Sequence, residues 1–494
     1  MRLRLFLFCL LVCLSTLVRS QPLASTWHDT GLRSGDIVKL LGTPDKRLFV
    51  FIRDGKQLTM DRYNADMQKA FSVPIAVKYD AFISGNAKFK AEAFAMVGGK
   101  IYMFTSCYER ATRSRYFFGS TLSQTGVFGS DLHLLSKIAG VSSDEGKFFI
   151  RLSEDSSLIF VGNTYKEEGK NTDRLIATVV KLPDYGVVWS KALSFPYQDR
   201  LANFTEATLD NNGNLAITAR IKLSNAYNPH AHSFEADYRA ALFFYDHKAD
   251  SLTEHVIDMH GIYITSVAAR FDDKNDLRVA GMFQSNPTSY FEGYFYFTID
   301  GKTQEEKNKT TRVLPLFSME AFDPRDLPDT YLDNVVPLPN GNTVLVAQQS
   351  YYSDTLVEST KYLRRYATGP IHLFCLKPDG SMAWFCSLPK RQYVDNNGEF
   401  VSYELLHRDN NLYFLYNDHE KNHDVTDPKN ITTYKSSRNA ETVVVKVDEN
   451  GFVKKRTVAQ QPDGKTCSVM PEQLTLLGDA SVAVIAGRTT TLSD

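Results

Sequence analysis

A turn of small polar residues leading into an apolar strand recurs along the whole chain, and it limits the fold more than any other feature. The copies read "GTPDKRLFVF" into Leu48, "VGGKIYMF" into Ile101, "SEDSSLIFVG" into Leu158 and "DNNGNLAIT" into Leu215. They continue as "DDKNDLRVAG" into Leu277, "PNGNTVLVA" into Val344, "RDNNLYFLY" into Leu412 and "LGDASVAVIAG" into Val482. The spacing grows from 53 to 70 residues. Asn-Gly, Gly-Gly and Asp-Lys-Asn turns between alternating apolar runs specify tight hairpins. A second hairpin follows at 175–193, 239–257, 293–308, 371–388 and 442–458. The phrase "DMQKAFSVP" at 66–74 returns in "VVWSKALSFP" at 187–196 and more loosely in "MAWFCSLP" ending at Pro389, marking the last strand of the unit. The repeat is therefore two hairpins, or four strands.

A four-stranded sheet repeated without sustained helical periodicity points to an all-β fold, a β-propeller of four-stranded antiparallel blades, because radial packing buries the faces that one sheet leaves bare. Tandem sandwiches would repeat at roughly 100 residues and carry linkers between units. Eight first hairpins predict eight blades, with seven as the alternative. The last unit, Ser468–Gly487, has no second hairpin, and "STWHDTGL" at 25–32 is the expected completing strand. That closure makes residues 21–494 one domain.

The turns "KLPDYGVVW" (181–189) and "LKPDGSMAW" (376–384) are similar to the D-x-x-G-x-x-x-W phrase of quinoprotein-like propellers. With the repeat, the chain resembles secreted bacterial β-propellers of the quinoprotein-like and WD40-like repeat superfamily. The resemblance covers two blades well, while "VDENGFVKK" lacks the tryptophan. It implies the fold and no enzyme family. The S-x-D-x-G-x-x-W boxes of sialidases are absent.

Arg2 and Arg4 precede an apolar run, Leu5–Leu14, and then Ser15–Ser20. This has the three regions of a secretory signal peptide, residues 1–20, and is too short to span a bilayer. The expected location is secreted or periplasmic, with cell-surface association left open and no transmembrane anchor after cleavage. A net charge of −1 gives no overall field toward nucleic acid. Four cysteines remain after cleavage, Cys107, Cys375, Cys386 and Cys467. Too few for a disulfide scaffold, they are expected as buried thiols, with a 375–386 bridge as the alternative.

The connections between the two hairpins of a unit vary most in length, and all of them emerge on one side of a propeller. Long connections on a rigid scaffold are where binding concentrates. In blade 2 this stretch carries Tyr108, Arg110, Arg113, Arg115 and Tyr116. In blade 6 it carries Tyr351, Tyr352, Tyr362, Arg364, Arg365 and Tyr366. Tyr and Arg combine contact area with directional hydrogen bonds. His230 and His232 form an H-x-H, and His419 and His423 lie four apart among acidic residues, so either pair is a candidate for a divalent metal.

No G-x-S-x-G, H-E-x-x-H or phosphate loop is present, so no cofactor is expected and catalysis has no motif behind it. The leading expectation is a binding or interaction module for a glycan, peptide or protein. The alternatives are a polysaccharide hydrolase or lyase on the same fold, and a scaffold of an envelope complex. Val18 and Ser20 place signal cleavage before Gln21. Mass spectrometry of the exported protein should therefore find Gln21, cyclised or not, at its N-terminus. A start inside the apolar run would overturn the assignment.

Overall fold

In the computed structural model, the described residues lie within 37–487; residues 1–36, 488–494 and parts of the connections, the longest 315–329, are left out. Seven four-stranded antiparallel sheets follow one another among them, at 37–75, 89–138, 148–194, 202–257, 263–313, 330–388 and 404–457. Within each, the strands pair in sequence order. The first strands of successive blades approach one another, so they line the axis and the fourth strands form the rim.

The turns explain why the repeat was readable. In the first hairpins of blades 1, 3, 4, 5 and 6, Lys46, Ser156, Gly213, Asn275 and Gly341 take φ between 56° and 95°. Their N–H groups donate to the carbonyls of Thr43, Ser153, Asp210, Asp272 and Leu338, closing the same turn five times. The Asp210 and Asp272 carboxylates each accept two backbone N–H bonds within the turn, and so set its shape.

Eight complete blades are not what forms. The eighth unit is a two-stranded hairpin, Ser468–Leu477 and Ser481–Gly487, with no third strand among the described residues. The propeller therefore has seven four-stranded blades. The first hairpin of a unit suffices to generate the repeat signal, but only the second hairpin makes a blade. The stretch 25–32, expected to complete the unit, lies outside the described residues.

This hairpin sits between the last blade and the first. Leu477 packs with Leu40, Leu48 and Val50 of blade 1, while Val469 and Leu474 pack with Leu415 of blade 7. Gly42 N donates to Thr475 Oγ1 at 3.0 Å, and Gly478 N to Thr43 O at 3.0 Å.

The core lies between blades. Phe160, Leu215 and Phe243 fill the gap between blades 3 and 4, and Leu345, Phe374 and Tyr296 that between blades 5 and 6. A chain of 12% aromatics suits wedges that widen outward. The tryptophans of the quinoprotein-like phrase join neighbours. Trp189 Nε1 donates to Gly213 O and Trp384 Nε1 to Glu449 O, each at 2.8 Å and each in the following blade. All four cysteines after residue 20 are free thiols, and burial pushes Cys375 up to about 11 and Cys386 to about 12. No helix among the described residues is long and apolar enough to cross a membrane.

A Cβ on Gly42 would land on the Leu476 carbonyl, which is backbone and has little room to retreat. Gly42→Ala should destabilise the fold by about 1–3 kcal/mol, the usual range for overpacking. Denaturant unfolding reads it, and an unchanged midpoint would show that the hairpin does not hold the ring.

Candidate functional site

Strand direction alternates within a blade, so the first and third turns share one face. The second connection and the link to the next blade share the other. The tight Asx turns occupy the first face. On the second, the middle strands of blades 4 and 6 run on beyond their neighbours: Leu215–Asn228 with Ser233–Asp246, and Thr343–Glu358 with Lys361–Leu376. Blade 7 carries a loop there with three short 3-10 turns, Glu420–Asn422, Pro428–Asn430 and Ser437–Asn439. The stretches expected as loops in blades 2, 4 and 6 are thus mostly strand. On the blade 6 strands, where 350–355 are all exposed, a polar composition hides the period.

The blade 2 residues are occupied with one another. Tyr108 pairs across strands with Arg115, whose guanidinium lies 5.8 Å from its ring, and its hydroxyl donates to Val141 O at 3.1 Å. Tyr116 is buried, donating to Glu109 Oε2 at 3.1 Å. Arg110 and Arg113 lie in the turn, Arg113 at φ 47°.

Blade 6 differs. Its long hairpin is an arm on which Tyr351, Tyr352 and Tyr362 are 45%, 65% and 65% exposed. Arg364 grips Asp354 with two bonds, at 2.7 and 2.8 Å, and lies 5.0 Å from the Tyr352 ring. Arg365 lies over Tyr393, and Tyr366 packs beside Val394.

Of the two histidine pairs, only His419 and His423 lie among the described residues. His419 Nδ1 accepts from Lys421 N at 3.1 Å and caps a 3-10 turn, while His423 faces Glu441 at 3.5 Å. His230 and His232 lie outside the described residues. Among the described residues, no three His, Cys, Asp or Glu side chains are grouped to hold a metal ion.

Nothing in the repeat pattern announces the polar cluster where blades 6 and 7 meet near the axis, Asp333, Lys390, Ser402 and Tyr403. The first strands of blades 1, 2, 4, 5 and 6 each carry a bulge, at Val38, Glu92, Thr205, Thr265 and Asp333. A bulge re-aims one side chain. Thr205 and Thr265 spend theirs on carbonyls of the next strand, each at 3.1 Å. Asp333 instead accepts from the Tyr403 hydroxyl of the following blade, at 3.0 Å.

Water reaches Asp333, yet protein walls it closely enough that burial pushes its carboxyl up to about 6, against the pull of Tyr403 and Lys390. Lys390 is 1% exposed and donates to Thr368 Oγ1 at 2.8 Å and Gln392 Oε1 at 2.9 Å. Burial brings it down to about 7, although the charges of Asp333 and Asp418 oppose this.

Beside Tyr403, Ser402 is held left-handed at φ 71°. Its N–H donates to Gln392 Oε1 at 2.7 Å and its hydroxyl to Gln348 Oε1 at 3.0 Å. Bulge, strain and two displaced titrations converge here, as they do at functional sites. Elsewhere, the cavity lined by Arg220, Arg239, Ile264 and Ser266 is about 10 Å³, room for about one water.

No family model matches the chain, and no curated protein matches it. Several solved structures share its outline. Prolyl oligopeptidase B from Galerina marginata is 11% identical at a TM-score of 0.40, over 86% of this chain and 52% of that one. A polysaccharide lyase, an ulvan lyase, is 8% identical at 0.37, over 86% and 94%. The β-propeller domain of the Trilobed protease from Pyrococcus furiosus is 7% identical at 0.37, over 86% and 96%. The chain spans about half the length of the oligopeptidase. Likeness at this level says nothing about activity.

Lys390 supplies a pH test. Unfolded, it titrates near 10.5, and folded at about 7, so between these values the unfolded chain holds more protons and stability rises with pH. Asp333 acts in another window, losing stability as pH climbs from 3.8 to about 6. Lys390→Met should abolish the rise between pH 7 and pH 10, worth on the order of a few kcal/mol. Parallel stability curves for the two proteins would contradict this account of the buried amine.

Proposed function

We propose that this chain is an exported binding module that takes a glycan, peptide or protein partner across its loop-rich face, against the arm of blade 6. One observation carries the reading: Tyr351, Tyr352 and Tyr362 stand exposed on one projecting hairpin, stiffened by the Asp354–Arg364 fork. Exposed aromatics on a rigid support bring contact area at low entropic cost.

A second reading, a hydrolase or lyase, draws support from the recess. Asp333 near 6 and hydrogen-bonded to Tyr403 is suited to hold or release a proton at neutral pH. Asp333→Asn separates the two readings. An enzyme loses turnover while still binding, and a binding module has no turnover to lose.

Tyr351→Ala, Tyr352→Ala and Tyr362→Ala combined should weaken ligand binding at least about tenfold, with stability changed by no more than about 0.5 kcal/mol per exposed site. The ligand is first found by a thermal-shift screen of residues 21–494 against glycans and peptides. Undiminished affinity in the triple variant would end the assignment to this arm.

A further inference from the structure

Two buried side chains of blade 7 grip the start of the terminal hairpin. Asn417 holds Val469 at both ends, its carbonyl accepting from Val469 N at 2.8 Å and its amide donating to Val469 O at 2.7 Å. Tyr434 donates its hydroxyl to Ser468 Oγ at 2.7 Å. Asn417, Tyr434 and Ser468 are all buried.

Both grips trace back to one short stretch, 390–393. Gln392 Nε2 donates to Asn417 O at 2.6 Å. Tyr434 N donates to Arg391 O and Tyr393 N to Tyr434 O, both at 2.9 Å. The buried Lys390 amine donates to Gln392 Oε1 at 2.9 Å and to Thr368 Oγ1 at 2.8 Å. A run of hydrogen bonds thus leads from Lys390 through Gln392 and Asn417 to Val469.

The amine is the member of this run whose charge can change. Both of its hydrogen-bond partners are neutral oxygens. Asp333, on the first strand of blade 6, and Asp418, on the second strand of blade 7, attract its charge. Asp418 is itself matched by Lys455 at 2.7 Å, and Asp333 is hydrogen-bonded by Tyr403. The Tyr416 ring lies 5.8 Å from the amine. Ser468 and Val469, where the hairpin meets the network, carry no charge. Burial outweighs the two carboxylates, and the folded amine titrates at about 7.

We infer that the terminal hairpin is a proton-sensitive latch: its release from blade 7 lets water into the Lys390–Gln392–Asn417 network, and loss of the Lys390 proton holds it shut. A released hairpin strips the Asn417 amide of its Val469 partners, and a buried amide left so recruits water. Once hydrated, the Lys390 amine returns toward 10.5 from its folded value of about 7. Release therefore takes up a proton between these values, becoming up to about tenfold rarer with each pH unit gained. Below that range the amine is charged in both states, and the dependence ends.

Amide exchange of residues 21–494, read by mass spectrometry at pH 7, 8 and 9 and corrected for the intrinsic rate, tests the latch. Amides of Ser468–Leu477 should exchange faster than those of Leu215–Ile221 in blade 4, since release falls short of unfolding. Their protection should rise at least about tenfold between pH 7 and pH 9. Lys390→Met should remove that rise. Asn417→Ala, which cuts the run between amine and hairpin, should speed hairpin exchange and flatten its pH dependence.

Hairpin and blade 4 amides exchanging at one common rate would mean that the hairpin leaves only when the whole chain unfolds. Faster hairpin exchange that ignores pH would mean that release leaves the amine dry. Either result overturns the latch, as does a rise that persists in Lys390→Met. The first two outcomes need only the unsubstituted chain, so they decide the matter even where a variant fails to fold.

Discussion

A sheet that is apolar on both faces can be buried only between two others, and every blade here depends on that constraint. Phe160 and Ala177 of blade 3 face blade 4, while Ile159 and Val161, one residue out of phase on the same strand, face blade 2. No blade has a core of its own. The near-continuous apolar second and third strands follow from this, since a period of two with both faces buried reads as an unbroken run. In blade 5 exposed charge gathers on the rim, in the fourth strand, Glu306–Val313.

Because burial comes from neighbours, the ring must close, and the closing contact is of a different kind. Beside the apolar packing of Leu415 on Val469 and Leu474, buried polar side chains join blade 7 to the terminal hairpin. Asn417 is buried, with its amide donating to Phe400 O at 2.8 Å and Val469 O at 2.7 Å, and its carbonyl accepting from Val469 N at 2.8 Å. Gln392 reaches Asn417 O at 2.6 Å. A fully satisfied buried network fixes geometry where a two-stranded hairpin offers too little apolar area to do so. The recess of Asp333, Tyr403 and Lys390 borders this network.

How far the sequence could be read follows from the range of each interaction. The hairpin positions were legible because each turn is built from adjacent residues: Asp272 closes its own turn on Lys274 and Asp276. Strand four of blades 1, 3 and 6 fell where the repeated phrase put it. The arm residues were legible as exposed Tyr and Arg, although not as strand. The recess was hidden because its members come from 333, 348, 368, 390–392 and 402–403, brought together by a bulge that shifts register without any residue signature. The blade number was overcounted for the converse reason, since one hairpin of the last unit carries the whole turn signal.

The hydrogen bonds that tie blade 1 to the terminal hairpin have a consequence for how the chain folds. Nearly all strand pairs join consecutive strands, so each blade assembles from contacts made within some sixty residues. Gly42 N to Thr475 Oγ1 spans 433 positions and links the first strand to the last hairpin. The entropy of joining distant ends grows only logarithmically with loop length, and here it is met in one step at the end of assembly. Blades can therefore form in order as the chain emerges from synthesis, as an open arc whose seam is sealed only when the hairpin of Ser468–Leu477 and Ser481–Gly487 arrives.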